Sequence, residues 1–312
     1  MHFLKEKIKN FIKKIIYSEN DRNIFHLGSS HFNLVRKNYS NVKNLFEVDY
    51  KIFSQNGEDG IIDYLIYNLN LEKPTFLEIG VGDYAESNTR FLFERYNSKG
   101  AIVDKINNFQ KKVSKHIKLW RGDLKLIETS ISCENINNII YDSGVSKNLD
   151  IFSIDIDGID YWIIDKIPKK ISKIFVAEYN PIFGAQKKIT VPNLKDFDRT
   201  KYHFSNLCYG MSLPALIEIM NKKEFTFLGT NIACNNAFFI SNDYLSNINI
   251  ELPNIQKLDK FINNNFRESR DKKYKLNYLS GEERIKDISS CKVINLSNSS
   301  SEPEYIKDIF NL

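Results

Sequence analysis

Residues 76–104 read FLEIGVGDYAESNTRFLFERYNSKGAIVD, and this stretch decides the fold. Phe76, Leu77 and Ile79 form a short apolar run of the kind found in a buried parallel strand. Gly80-Val81-Gly82 predicts a turn, Ser87 to Tyr96 a helix, and Ala101 to Val103 a second strand closed by Asp104. Strand, glycine turn, helix and strand with an acid at its tip make up a nucleotide-binding βαβ unit. Two glycines let a backbone approach its ligand closely. A helix N-terminus offers free N–H groups, and the acid can accept from two ribose hydroxyls.

Gly80-Val81-Gly82-Asp83-Tyr84-Ala85 also fits G-x-G-x-x-A, with Asp104 roughly 20 residues on, as a dinucleotide fingerprint requires. The surrounding charge separates the two readings. Glu78, Asp83 and Glu86 flank the turn. A carboxylate about 4 Å from a phosphate charge costs about 4 kcal/mol at an effective dielectric of about 20. A ligand with a cationic amino group gains at the same place. S-adenosylmethionine has an α-ammonium and a sulfonium and no phosphate, so it is the expected ligand, ahead of NAD.

Outward from this unit the chain keeps alternating. Lys51 to Asn70 predicts a helix entered through Ser54-Gln55-Asn56-Gly57-Glu58-Asp59. Glu58 and Asp59 either favour the helix N-terminus or, with Gln55, reach the donor or acceptor pocket. Ile117 to Leu119 reads as a third strand, and Asp123 beyond it either meets an adenine amino group or is an exposed loop acid. Strands over Leu149 to Ile156 and Ile171 to Ala177 end in Asp155-Ile156-Asp157-Gly158 and Glu178-Tyr179-Asn180-Pro181. A helix over Tyr161 to Ile167 joins them. Residues 182–211 form a long polar connection, with the length of a lid. A helix over Ser212 to Glu224 follows, then an antiparallel pair, Phe225 to Leu228 and Ala237 to Ile240. The fold expected is α/β, a Rossmann-like, doubly wound, mostly parallel sheet of seven strands, whose acidic tips share one rim.

The expected division is a lead-in over 1–50, a catalytic domain over 51–250 and a C-terminal extension over 251–312. The first part opens on a basic amphipathic helix, Met1 to Tyr17, able to lie on an anionic membrane or pack against its own domain or a partner subunit. Short helices are expected over 18–50. In the extension, Phe261, Tyr274, Leu276 and Tyr278 are the expected anchors, and Ser297 to Glu302 a flexible stretch.

A 42% hydrophobic share in 312 residues suffices for a large core. Net charge of +5, with both signs interspersed, does not call for nucleic acid. Cys133, Cys208, Cys234 and Cys291 include no C-x-x-C pair, which argues against zinc and disulfides and suits a reducing cytosol. No signal peptide or membrane-length apolar run is evident. A cytoplasmic location is expected, with peripheral membrane contact and homo-oligomer formation both open.

The densest chemistry is Asp155, Asp157 and Asp160 with Glu178 and Asn180. Oxygen ligands on two adjacent tips suit Mg²⁺, and Asp157, Glu178 and Asn180 are the expected set. A metal there would lower the pKa of an acceptor hydroxyl. The other route is a general base, for which Asp157 and His203 are the candidates. The structural alternatives are that Asp155 accepts from backbone amides, that Asp157 and Asp160 open a helix, and that His203 is a solvated loop side chain.

In this order, Ser54 to Gly60, Glu78 to Gly82, Ser87-Asn88-Thr89, Asp155 to Gly158, Asp160-Tyr161-Trp162, Glu178 to Pro181, Tyr209 to Leu213 and Asn236 to Phe239 resemble FkbM-type class I S-adenosylmethionine-dependent methyltransferases. The likeness covers about residues 50–242. It implies O-methylation of a sugar, glycan precursor or related natural product, commonly in surface-polysaccharide or secondary-metabolite biosynthesis. It implies donor contacts from Glu78, Gly80 and Asp104. Gly82, Asn88, Asp123 and Asp155 complete the expected donor set. The acid-rich 155–160 tip departs from the D-x-E-G of better-known members, which leaves the catalytic group open. The rivals are an NAD-dependent sugar-modifying oxidoreductase and a non-catalytic scaffold of the same fold.

Overall fold

The computed structural model describes the backbone of residues 2–262, 268–298 and 302–312, with side chains from residue 19 onward within them. Ten strands are described: β1 (Phe76–Ile79), β2 (Gly100–Asp104), β3 (Leu124–Glu128), β4 (Ile151–Ile154), β5 (Ile174–Glu178), β6 (Ile189–Thr190), β7 (Phe225–Thr230), β8 (Asn236–Ser241), β9 (Lys292–Asn295) and β10 (Pro303–Tyr305). The described helices are α1 (His2–Val35), α2 (Glu58–Asn68), α3 (Arg90–Tyr96), α4 (Phe109–Val113), α5 (Ile136–Asp142), α6 (Asp160–Lys166), α7 (Arg199–Tyr202), α8 (Leu213–Lys222), α9 (Glu282–Asp287) and α10 (Ile306–Phe310).

Seven strands form one sheet in the order β3-β2-β1-β4-β5-β8-β7. β1 to β5 run parallel, and β8 runs antiparallel to both neighbours. The central strands are apolar runs buried on both faces, as helices on each side require. Side chains alternate between two cores. Leu77, Ile79, Phe152, Phe175 and Phe239 pack toward α5, α6 and α8. Phe76, Ile102, Ile151, Val176 and Phe238 pack toward α2, α3 and α4. Chain order reverses between β1 and β4, which opens a crevice beyond their C-terminal ends. This is the doubly wound sheet expected from the sequence.

Four local expectations are corrected. The third strand is Leu124–Glu128, and Leu119–Arg121 is a 3₁₀ turn before it. This edge strand alternates Leu, Lys, Leu, Ile, Glu and is only half-buried, so it lacks the continuous apolar run that marks the inner strands. Instead of forming short helices over 18–50, the lead-in continues α1 unbroken to Val35, followed by 3₁₀ turns at Arg36–Asn41 and Leu45–Val48. Gly28 does not break the helix there: a Cβ on it would stand 2.6 Å from Ile52, so the glycine permits close packing. Phe261 is buried as expected, but Tyr274 and Tyr278 are 64% and 70% exposed and Leu276 is exposed too, so they anchor nothing. Val293, Ile306 and Ile288 do that work. The 182–211 connection is polar at its middle only. Phe183, Ile189, Val191 and Leu207 to Met211 are buried, and β6 joins β9 and β10 in a second, three-stranded sheet.

The amphipathic pattern expected over Met1 to Tyr17 concerns side chains outside the described residues, as do residues 299–301 of the expected flexible stretch. Among the described residues, no helix is long and apolar enough to cross a membrane.

Candidate active site

The glycine turn sits at the mouth of the crevice. Gly80 has φ +85°, and a Cβ there would lie 1.6 Å from the Asp155 carbonyl oxygen. Only glycine lets β1 turn against the tip of β4. Gly82, at φ +56°, donates its N–H to Asp104 Oδ2 at 2.8 Å. Asp104 Oδ1 accepts from Ile106 N at 2.9 Å. Each Asp104 oxygen keeps a second lone pair, so ribose hydroxyls remain compatible with it.

Glu78 faces the other way. Its buried carboxylate accepts from the backbone N–H of Asn88 (2.9 Å) and Thr89 (3.0 Å) and from the hydroxyls of Ser87 and Thr89. Burial raises its pKa, and these bonds oppose the rise. Thr89 is the N-cap of α3. The chain's own carboxylate therefore takes the two N–H groups just before α3, and a pyrophosphate at this turn would face it. Four accepted bonds make Glu78 a brace of the 80–89 loop, and its Oε1, with one of them, keeps a lone pair compatible with the donor contact expected from the sequence. Asn88 is also a brace, since its Nδ2 donates to Ser153 Oγ on β4 at 3.0 Å.

Register aligns Gly80, Asp155, Glu178 and Asn236 along the rim, one residue beyond the ladder Ile79–Ile154–Ala177–Ala237 for the first two and within β5 and β8 for the others. The Asp155 carboxyl is held well above its ordinary range. Burial is the main cause, and the charges of Glu178, Asp157 and Asp160 add to it. Carboxylate oxygens of Asp155, Asp157 and Glu178 lie within 4.8 Å of one another. Asp160 points inward, accepting from Ile156 N (2.9 Å) and Gly158 N (3.0 Å), with its pKa pushed up to about 7. It opens α6 and shapes the tip.

A layer of amides closes the other side. Glu58, buried at the start of α2, accepts from Asn231 Nδ2 (2.7 Å), Asn236 Nδ2 (2.8 Å) and Asn56 N (2.9 Å). Asp59 accepts the N–H groups of Ile52, Phe53 and Ser54, each at 2.7 Å, and so closes the entry loop. Of these two acids, Glu58 reaches the rim and Asp59 holds the entry loop against α2.

The connection lies on the acidic tip. Arg199 of α7 bonds Asp157 Oδ1 at 2.5 Å, with its guanidinium 5.3 Å from the Tyr209 ring centre. Asp157 has φ +54°, unusual for a non-glycine residue and typical of constrained functional turns. Phe197 packs on Gly158, whose carbonyl accepts from Gly210 N at 3.0 Å.

Three expected site residues are not brought in as expected. Asn180 is buried with its amide engaged: Nδ2 donates to the carbonyls of Leu207 (2.9 Å) and Tyr209 (3.0 Å), and Oδ1 accepts from Ile182 N. It secures the connection, and Asp155 takes its place beside Asp157 and Glu178. Asp123 precedes β3, at the rim opposite the crevice, and pairs with Lys99 at 3.0 Å. The acid at the correct end is Glu128, which accepts from Phe109 N at 3.0 Å. His203 bonds Ser205 through Nδ1 at 2.7 Å and lies tilted against the Phe204 ring, 4.1 Å between ring centres. Burial lowers its pKa, Asp287 opposes that, and these neighbours turn it toward the C-terminal extension. Sequence reasoning missed Asn231, Asn236 and Arg199. The signal for Asn236 was present: a strand predicted to run antiparallel begins at the rim where its parallel neighbour ends.

No family model matches this chain, and no curated protein matches it. Among solved structures it is similar to an O-methyltransferase family protein from Burkholderia thailandensis, with 9% identity and TM-score 0.37 over 72% of this chain and 61% of the other. It is likewise similar to an S-adenosylmethionine-dependent methyltransferase from Clostridium acetobutylicum, with 10% identity and TM-score 0.37 over 59% of this chain and 90% of the other. The chain spans about three fifths of the length of the first of these. Sheet order and site geometry carry the reading below.

Proposed function

We propose that this protein is an S-adenosylmethionine-dependent O-methyltransferase acting on a hydroxyl of a sugar, glycan precursor or related natural product. One observation carries the donor assignment. Glu78 takes the N–H groups of Asn88 and Thr89 just before α3, so a phosphate at this turn would face a carboxylate, while Asp155, Asp157 and Glu178 favour a cationic ligand. The ordered motifs that resemble the FkbM-type family support the acceptor class.

In this reading Asp104 receives the ribose hydroxyls and Gly80 and Gly82 admit the donor's close approach. The Asp155–Glu178 pair, one carboxyl raised by burial and by its neighbour, takes the proton of the acceptor hydroxyl. The oxygen attacks the methyl carbon, the carbon–sulfur bond breaks, and its electron pair stays on sulfur. Alignment of oxygen, carbon and sulfur supplies much of the rate, on the order of 7–11 kcal/mol for well-oriented groups. Titration calorimetry tests the donor: binding of S-adenosylmethionine and its demethylated product, and none of NAD(H), is expected. The reverse result overturns the proposal.

A cation-assisted version rests on the three carboxylates within 4.8 Å, which fit an oxygen-ligated divalent ion. Asp155, Asp157 and Glu178 would hold it, and it would acidify the acceptor hydroxyl. Arg199 already supplies one positive charge at Asp157. We expect methyl transfer to persist in EDTA through the carboxyl pair. Loss of turnover on chelation, restored by Mg²⁺, would establish the cation.

A further inference from the structure

We propose that Asn236 is an acceptor-binding residue and that the acceptor presents two hydroxyls on adjacent carbons. This rests on the methyl-transfer reading and specifies its substrate. Asn236 is only 5% exposed, and its side chain is oriented without ambiguity. Its Nδ2 donates to Glu58 Oε1 at 2.8 Å, and a carboxylate receiving two further donors can only accept. Nδ2 therefore faces Glu58, and Oδ1 is one of several buried side-chain atoms among the described residues that have no hydrogen-bond partner. Buried amide oxygens are seldom left this way in a core strand.

The orphan oxygen has a definite place. Asn236 is the direct cross-strand partner of Glu178 on the antiparallel β5–β8 pair, so both side chains project to the α2 face of the sheet. The row along the rim is thus Asp155, Glu178, Asn236. Carboxylate oxygens of Asp155 and Glu178 lie within 4.8 Å of each other. What the row lacks is a donor at Asn236, next to the carboxyls that take the reacting proton.

Neighbouring strands stand about 4.8 Å apart. Two hydrogen bonds of about 2.7 Å reach inward across that span onto oxygens of adjacent carbons. One hydroxyl meets the carboxyl pair and loses its proton, and its neighbour donates to Asn236 Oδ1. A mono-ol leaves the amide oxygen unpaired, and sites built to hydrogen-bond a hydroxyl discriminate strongly against analogues lacking it.

The test uses the full chain with S-adenosylhomocysteine, and cis-1,2-cyclohexanediol and cyclohexanol as probes, followed by saturation-transfer NMR. The diol is expected to bind at least about tenfold better than the mono-ol. Asn236→Ala is expected to bring the two within about twofold while keeping its calorimetric affinity for S-adenosylmethionine. Equal binding of both probes to the unaltered protein, no binding of the diol, or an unchanged preference in a variant that still binds the donor overturns the inference. Donor affinity also reports whether the variant folds, and the wild-type comparison decides if it does not. Diol indifference with intact donor binding overturns this inference alone. Absence of donor binding in the unaltered protein overturns the methyl-transfer reading and this inference with it.

Discussion

Gly80 and Glu78 act on the same turn by different means, and their substitutions separate the two. Gly80→Ala brings a methyl group to 1.6 Å from the Asp155 carbonyl at φ +85°. Backbone must move, so a loss of about 3 kcal/mol or more in unfolding free energy is expected, from strain and overpacking together. Urea denaturation reads the first effect, and calorimetry the loss of donor binding that follows displacement of the β4 tip. Glu78→Gln keeps the shape but turns an NH₂ group toward donors of Ser87, Asn88 and Thr89. The expected cost is about 2–3 kcal/mol, with donor affinity weakened through the loosened loop. Full stability with abolished donor binding would instead make Glu78 a direct contact. The sequence located this turn by residue type. It did not reveal that Glu78 is engaged by its own loop, because the partners lie nine to eleven positions ahead and no spacing rule fixes which of many nearby N–H groups a carboxylate takes.

At the scale of elements, long apolar runs were legible and partly polar ones were not. Ile151–Ile154 and Ile174–Glu178 are buried on both faces, and they were placed to within a few residues. Leu124–Glu128 alternates because it lies at the sheet's edge, and the shift of that one strand carried Asp123 to the wrong rim. The β4–β5 tips have a measurable consequence of their own. Burial, with help from Glu178, raises Asp160 from 3.8 to about 7 against its two backbone N–H bonds. The folded protein then holds a proton that the unfolded chain releases. Stability contributed by that proton is present at low pH and is lost as pH rises from about 4 to about 7, by up to about 4 kcal/mol. Urea melts near pH 5 and pH 8 should differ in this direction. Asp160→Asn should make the fall shallower, leaving the part contributed by Asp59, raised to about 6, and by Asp155, at a roughly pH-independent cost of about 1–3 kcal/mol for one misdirected N–H bond. A profile that rises with pH in both proteins would contradict the assignment.

For the whole molecule, the sequence made the sheet readable because each strand's burial is a local pattern, whereas the C-terminal extension depends on pairings more than a hundred residues apart. β9 is bonded to β6 within the 182–211 connection, through Ile189–Asn295 and Thr190–Ile294. Tyr202 bonds the Lys292 carbonyl at 2.5 Å, and Val293, Ile288 and Ile306 share a core with Phe175 and Met211. The extension thus holds the segment that carries Arg199 over the acidic tip. Fully burying each such apolar side chain contributes about 1.5–3 kcal/mol. Val293, Ile288, Ile306 and Ile309 together then approach the whole stability of a typical domain, about 5–15 kcal/mol. A chain shortened to residues 1–262 should therefore lose cooperative urea unfolding, and with it donor binding, even though the glycine turn and every rim carboxylate remain. If the shortened chain unfolds cooperatively and binds S-adenosylmethionine as the full chain does, the extension is an appendage, and the connection is held over the site by its own contacts with Asp157 and Gly158.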